Sequence, residues 1–313
     1  MKLVIPVSRH DVKLIENLYK AFDAFPFSRE HELLIIGSKE NEVAIQSLNE
    51  GIKHLFAKSE CKLIEDTMLG WPGSCNFYFQ QACYHLGNSP SMPFLWYELD
   101  STPLKEGWLD LLAQSYHADT TVAAREGRKP RTYLGAKERN YEGRNGELLP
   151  ESIAGSRMSQ VGIYDPMITQ IPVLSSLSAT TRHWSSVIQW YVTPNMIDSP
   201  LIQNNWRTLN YRRDAWDIIC DSDANLAWDV HFSKPVSKEA VLLHGCKDGT
   251  LLDLLLNNKD TNKNKPMKVV TNISLADAKM MAEEFDERDE EDSRNKKSTK
   301  KFVFSKKEDN KEE

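Results

Sequence analysis

The first hundred residues alternate between short apolar runs and amphipathic stretches, and few folds accommodate that rhythm. Residues 3–7 (Leu-Val-Ile-Pro-Val) read as a buried strand, and residues 10–25 then carry Val12, Ile15, Leu18, Tyr19 and Phe22 at helical spacing. Residues 32–36 form a second strand ending at Gly37. Residues 42–56 are a second helix, with Val43, Ile45, Leu48, Ile52 and Leu55 as its apolar stripe. Residues 61–64 give a short third strand, 75–86 a third helix and 93–97 a fourth strand. A strand that returns through a helix re-enters its sheet parallel to its predecessor. The expectation is therefore an α/β fold, a Rossmann-like, mostly parallel sheet with helices on both faces. Ligands in such sheets bind beyond the carboxyl ends of the strands.

After Leu112 the pattern loosens. Residues 125–144 are basic and contain glycine (Arg125, Arg128, Lys129, Arg131, Lys137, Arg139, Arg144), the composition of a loop or hairpin. Residues 183–216 are rich in tryptophan, and the apolar run 240–243 stops at His244. From Asn257 the composition changes: 283–292 hold eight acids and one Arg, whereas 294–307 hold seven bases and no acid. Like-charge blocks of this kind point to a disordered tail over 259–313. That tail carries 14 bases and 14 acids, so the net charge of −6 belongs to residues 1–258. Such a balance excludes a nucleic-acid binder held by its overall field, though not one with local basic patches.

No window approaches 18 uninterrupted apolar residues, so no membrane span is expected. The apolar run around Pro6 is too short for a signal-peptide core. Five cysteines (Cys61, Cys75, Cys83, Cys220, Cys246), none in a Cys-x-x-Cys pair, argue against a disulfide framework or a thiolate zinc site. A reducing, cytoplasmic location is the expectation.

Residues 94–101 (Phe-Leu-Trp-Tyr-Glu-Leu-Asp-Ser) carry the most chemistry. Side chains two apart on a strand face the same way, so Glu98 and Asp100 would converge at its carboxyl end. Neighbouring carboxylates repel unless a cation lies between them, and oxygen ligands suit Mg²⁺ or Mn²⁺. The plainer alternative is that Asp100 caps a helix beginning near Leu104.

The order of segments resembles the GT-A-fold nucleotide-sugar glycosyltransferases of the family-2 type. The resemblance is carried by the small-residue stretch 70–76 (Gly-Trp-Pro-Gly-Ser-Cys-Asn), by a helix, by the strand ending in Glu98-Leu99-Asp100, and by 103–109 (Pro-Leu-Lys-Glu-Gly-Trp-Leu). Glu98 stands where those proteins have the first Asp of an Asp-x-Asp motif. The resemblance implies that Asp100 binds a metal, Mn²⁺ or Mg²⁺, bridging the donor's diphosphate. Glu98 would contact ribose or metal-bound water, and Asn76 would open the donor-side helix.

Residues 241–249 supply a second match. The resemblance assigns His244 to the metal and Lys247 to the leaving diphosphate. The chemistry is sound: imidazole is a good Mn²⁺ ligand, glycines admit phosphate to the backbone, and a cation stabilises departing negative charge. Asp198, before Ser199-Pro200, resembles the acidic residue that begins an acceptor-facing helix, as general base or as a carboxylate beside the reacting carbon. It reads equally as an ordinary helix N-cap. Pro6 and Ser8 would meet the nucleotide, with Asp66 replacing the acidic residue missing after the second strand, where Gly37-Ser38 stand instead. On this view 1–115 form a nucleotide-sugar-binding half and 116–258 an acceptor half.

The implied reaction is transfer of a sugar from a nucleoside-diphosphate sugar, a UDP-sugar first among them, to an acceptor hydroxyl. Arg182, His183, Trp184, Trp190, Tyr191, Trp206 and Arg207 cluster in the acceptor half, where aromatics could stack on sugars or bases. The local basic features allow DNA as acceptor, through a hydroxylated base, as in phage DNA-modifying glycosyltransferases. A glycan, lipid or protein acceptor is the alternative. Two other classes stand against these readings. One is a sugar-nucleotide pyrophosphorylase, although no Gly-rich phosphate loop follows the first strand; the other is a non-catalytic binding protein with a charged tail.

Overall fold

A computed structural model describes residues 1–8, 11–65, 73–87, 92–129, 131–140, 155–180, 182–204, 239–245 and 249–261. Four parallel strands are laid down as the alternation predicts: β1 (Lys2–Val7), β2 (Glu32–Ser38), β3 (Lys58–Ile64) and β4 (Phe94–Trp96). Between them run α1 (Ile15–Ala24), α2 (Glu42–Ile52) and α3 (Gly73–Gly87). The first and second helices are shorter than their apolar spacing suggests. Val12–Leu14 and Lys53–Leu55 close as 3₁₀ turns at their ends, where i→i+3 bonds tighten a terminus.

A fifth strand, β5 (Ser101–Pro103), leads into α4 (Trp108–Arg125). Gly107 caps that helix in the left-handed region at φ 68°, which a Cβ would disfavour. The second half adds β6 (Tyr133–Asn140), β7 (Gly155–Tyr164), α5 (Trp184–Val192), β8 (Met196–Asp198), β9 (Ile202–Asn204), β10 (Leu242–His244) and α6 (Thr250–Thr261). The basic stretch 125–144 is thus in part a strand, β6, paired antiparallel with β7. Helix α6 continues beyond residue 258, where the tail was expected to begin.

The main sheet has seven strands in the order β3-β2-β1-β4-β7-β6-β8. Pairings among β1 to β4 are parallel, as is β6 with β8, whereas β7 runs antiparallel to both neighbours. The two halves of the chain therefore share one sheet. A smaller three-stranded sheet, β5-β10-β9, lies in the same unit.

Alternation along each strand sorts the core into two layers. Leu3, Ile5, Val7, Leu33, Ile35 and Leu95 face a layer that includes Leu18 and Phe22 of α1, Ile45 and Leu48 of α2, Trp108 and Leu112 of α4, and Leu251 of α6. Val4, Leu34, Ile36, Phe94 and Trp96 face Phe79 and Ala82 of α3 and Trp184 and Ile188 of α5. Helices cover both faces because both faces are apolar. Among the described residues, no helix is long and apolar enough to cross a membrane.

Candidate metal centre at the carboxyl ends of the strands

Glu98 and Asp100 do not sit on an extended strand. Strand β4 ends at Trp96, and the chain turns, with the Ser101 amide donating to the Glu98 carbonyl at 2.9 Å. The Tyr97 hydroxyl donates to the Ser101 carbonyl at 2.7 Å and braces that turn. The two carboxylates still converge, through a turn rather than through strand alternation. Asp100 is not a helix cap, because α4 begins at Trp108 behind Gly107.

His244 arrives from 144 residues further on by sheet pairing. Strand β10 runs antiparallel to β5 and sets His244 opposite Ser101. The Gly245 amide donates to the Asp100 carbonyl at 3.1 Å, and Gly245 holds φ 105°, a turn that favours glycine. As a result Nε2 of His244 lies 2.9 Å from Glu98 Oε2 and 3.1 Å from Asp100 Oδ1. One ligand atom from each of the three residues lies within 4.8 Å of the others. Asp100 and His244 are 8% and 5% exposed.

The electrostatics follow from this crowding. Burial pulls the His244 pKa down, but the charge of Asp100 and its hydrogen bond, followed by those of Glu98, raise it from 6.5 to about 10. One imidazole nitrogen faces two carboxylates, so a proton there sits where a divalent cation would bind both oxygens and the nitrogen. Two hard oxygen donors with one imidazole suit Mn²⁺ and also Mg²⁺. The donor set fits the ion that the sequence resemblance implies.

Asp11, which sequence reasoning passed over, belongs to this neighbourhood. Its carboxylate accepts from the Ser8 amide at 3.1 Å and the Ser8 hydroxyl at 2.5 Å, while the Asp11 amide donates to the Ser8 carbonyl at 3.0 Å. The Asp11 pKa is raised by burial, lowered by the Ser8 bonds, and raised further by the charges of Glu98 and Asp100. Asp11, just after β1, thus lies within reach of the charges of Glu98 and Asp100. The signal was present as Ser8-x-x-Asp11, half of a reciprocal capping box. Pro6 lies within β1, opposite Ile36.

Gln160 on β7 was also missed. With its amide nitrogen toward Glu98 it donates to Oε1 at 3.0 Å and Oε2 at 3.2 Å. The indole N–H of Trp96 adds a bond to Oε1 at 3.3 Å. No local pattern marks Gln160, because its partner Glu98 lies 62 residues earlier in the turn after β4 and meets it only in the assembled sheet.

Other expectations fall elsewhere. Asn76 is 0% exposed and acts as a tertiary pin: Nδ2 donates to the Leu177 carbonyl (3.1 Å), Thr180 Oγ1 (3.1 Å) and the Arg182 carbonyl (2.8 Å). Its Oδ1 accepts from the Trp184 amide at 2.6 Å. Asp198 begins no helix. It is the exposed last residue of β8, opposite Gly135 of β6, and the chain then turns into β9. Tryptophan 184 is core, stacked on Phe79 with ring centroids 3.8 Å apart, whereas Trp190 is 75% exposed. Asp66, Lys247, Trp206, Arg207 and the loop 70–72 lie outside the described residues, as do the charge blocks of the tail.

No protein-family model and no curated protein matches this chain. Among solved structures it is similar to the galactosyltransferase LgtC in complex with donor and acceptor sugar analogs, at 9% identity and TM-score 0.48, over 86% of this chain and 98% of that one. It is similar also to mouse xyloside xylosyltransferase 1 in its apo form, at 10% identity and TM-score 0.43, over 78% and 98% of the two chains. The apo form of the glycosyltransferase GlyE of Streptococcus pneumoniae TIGR4 matches at 9% identity and TM-score 0.40, over 86% and 65%.

Proposed function

We propose that this chain is a metal-dependent glycosyltransferase that moves a sugar from a nucleoside-diphosphate sugar to an acceptor hydroxyl. The observation that carries the reading is the convergence of Glu98, Asp100 and His244 within 4.8 Å, assembled from sequence-distant segments just beyond a parallel strand. That is where an open α/β sheet binds its ligands.

In this reading Asp100, His244 and Glu98 hold the cation, which supplies charge neutralisation for the departing diphosphate. Ser8 and Asp11 at the end of β1 orient the nucleoside, and Lys247 offers a second positive charge to the leaving group. The turn 97–101, braced by Tyr97, presents both carboxylates just beyond the end of β4. Asp198 is kept as the candidate base for the acceptor hydroxyl, now on a strand end rather than a helix start. The acceptor is assigned only as a hydroxyl. Two of the bases that suggested DNA are engaged locally, Arg128 with Glu126 at 2.6 Å and Arg131 with Asp119 at 2.5 Å.

The test is to incubate the protein with a panel of nucleotide sugars and Mn²⁺ and to measure nucleoside diphosphate release. Release that ends on chelation, returns with Mn²⁺ and falls by more than about 100-fold in Asp100→Asn is the expected result. Release that survives both chelation and Asp100→Asn refutes the metal-dependent mechanism.

A further inference from the structure

We propose that Gln160 is a positioning residue whose side-chain amide holds the Glu98 carboxylate in the orientation that lets Glu98, Asp100 and His244 close on one cation. The inference rests on reading the trio as a metal site and adds the residue that sets its geometry. Strands β4 and β7 pair as far as Trp96 opposite Gly162, and the turn that follows β4 brings the Glu98 carboxylate to the side chain of Gln160. Its amide nitrogen then donates to both carboxylate oxygens, at 3.0 and 3.2 Å. The reverse orientation would set a carbonyl oxygen against two acceptors.

Glu98 needs such a hold. Its side chain has one more rotatable bond than aspartate and is 25% exposed, so an unheld carboxylate would sample several rotamers, most of them turned from Asp100. The Trp96 indole bonds only Oε1, and His244 only Oε2. The amide spans the two and fixes the plane of the carboxylate.

The support beneath Gln160 is itself rigid. The Tyr133 hydroxyl shares its one proton between the carbonyls of Ser159 (2.9 Å) and Val161 (3.2 Å), and the Tyr164 hydroxyl donates to that of Gln160 (2.7 Å). Three successive carbonyls are thereby anchored by buried tyrosines. The Tyr133 ring fits because Gly135 and Gly162 lie against it, where any Cβ would overlap the ring.

Charge explains why an amide suits this position. A lysine here would neutralise the carboxylates and repel a divalent ion. A glutamate would add another negative charge beside Glu98, itself next to Asp100. An uncharged donor orients Glu98 without competing with the cation.

The test measures Mn²⁺ binding by the full chain without any nucleotide sugar, following free Mn²⁺ by electron paramagnetic resonance, with urea unfolding as the control for folding. Gln160→Met, of similar size but with no donor, should weaken Mn²⁺ binding by about 10–100-fold. Gln160→Lys keeps Glu98 paired and the strand packed, and should remove Mn²⁺ binding from a folded protein. In a Glu98→Asp background, whose shorter arm no longer reaches the amide, Gln160→Met should have no further effect. A merely structural role would lower the unfolding midpoint and leave Mn²⁺ affinity unchanged. Wild-type binding retained in full by Gln160→Met, or an equal further loss in the Glu98→Asp background, overturns the inference while leaving the metal site standing. A wild-type protein that binds no Mn²⁺ at millimolar concentration overturns the site, and this inference with it.

Discussion

Replacing Asn76 separates a structural amide from a donor-binding one. In the native structure Asn76 bonds four groups, but their dependence on it is unequal. The Leu177 carbonyl also accepts from the Thr180 amide (3.2 Å) and the Thr180 hydroxyl (3.1 Å), and the Arg182 carbonyl from that hydroxyl (2.8 Å). The Trp184 amide, donating to Oδ1 at 2.6 Å, opens α5. Asn76→Ala therefore orphans one buried N–H, at about 1–3 kcal/mol, and leaves a small void at about 1 kcal/mol. The expected loss of stability is about 2–4 kcal/mol, read from equilibrium urea unfolding.

Asn76→Asp sharpens the test. A carboxylate still accepts from Trp184 but faces the Leu177 and Arg182 carbonyls, and at a fully buried position its pKa must rise. A pKa raised in the folded state above about 3.9 favours folding below that value, and the advantage is lost as pH increases through the folded pKa. The deficit of Asn76→Asp relative to wild type should therefore be larger at pH 7 than at pH 4. Asn76→Ala that unfolds within about 0.5 kcal/mol of wild type, yet raises the donor KM more than about tenfold, would refute the pin and restore Asn76 to the donor site.

Three further outcomes follow from the packing and the buried charges. Trp184→Ala should cost about 3–5 kcal/mol in urea unfolding because the indole stacks on Phe79 in the core, whereas Trp190→Ala, at 75% exposed, should stay within about 0.5 kcal/mol. Gly162→Ala should destabilise by about 1–3 kcal/mol through overlap with the Tyr133 ring, and should also weaken Mn²⁺ binding if the strand carrying Gln160 shifts. His31, with its pKa lowered mainly by burial, bonds Asp110 at 2.9 Å, and the Asp110 pKa is lowered by its Ser28 and His31 bonds against the burial that raises it. Both folded pKa values lie below their usual 6.5 and 3.8, so their stabilisation is complete above pH 6.5. The His31 part is lost as pH falls below 6.5 and the Asp110 part as it falls below 3.8. His31→Phe should flatten the upper part of that profile, measured as unfolding midpoint against pH.

What the sequence determined by itself is local. Short continuous apolar runs alternating with helical spacing in the first hundred residues specify four parallel strands and the helices between them, because strands covered on both faces must be apolar on both. Glu98, Asp100 and His244 were legible because carboxylates directly after an apolar strand, and a His-Gly closing another, mark strand ends. Their meeting was decided elsewhere, by β10 pairing antiparallel with β5 and setting His244 opposite Ser101. Asn76 shows the same limit: its small-residue context read as a donor loop, but its partners lie 101 to 108 residues away and appear only when α3 packs beside α5. Asp198 read as a helix start and became a strand end, since pairing with Gly135 of β6 outweighs a local capping preference. Gln160 carried no signal at all. A neutral amide acquires a role only from what stands beside it, and the turn after β4, set next to β7 only in the assembled sheet, put Glu98 there.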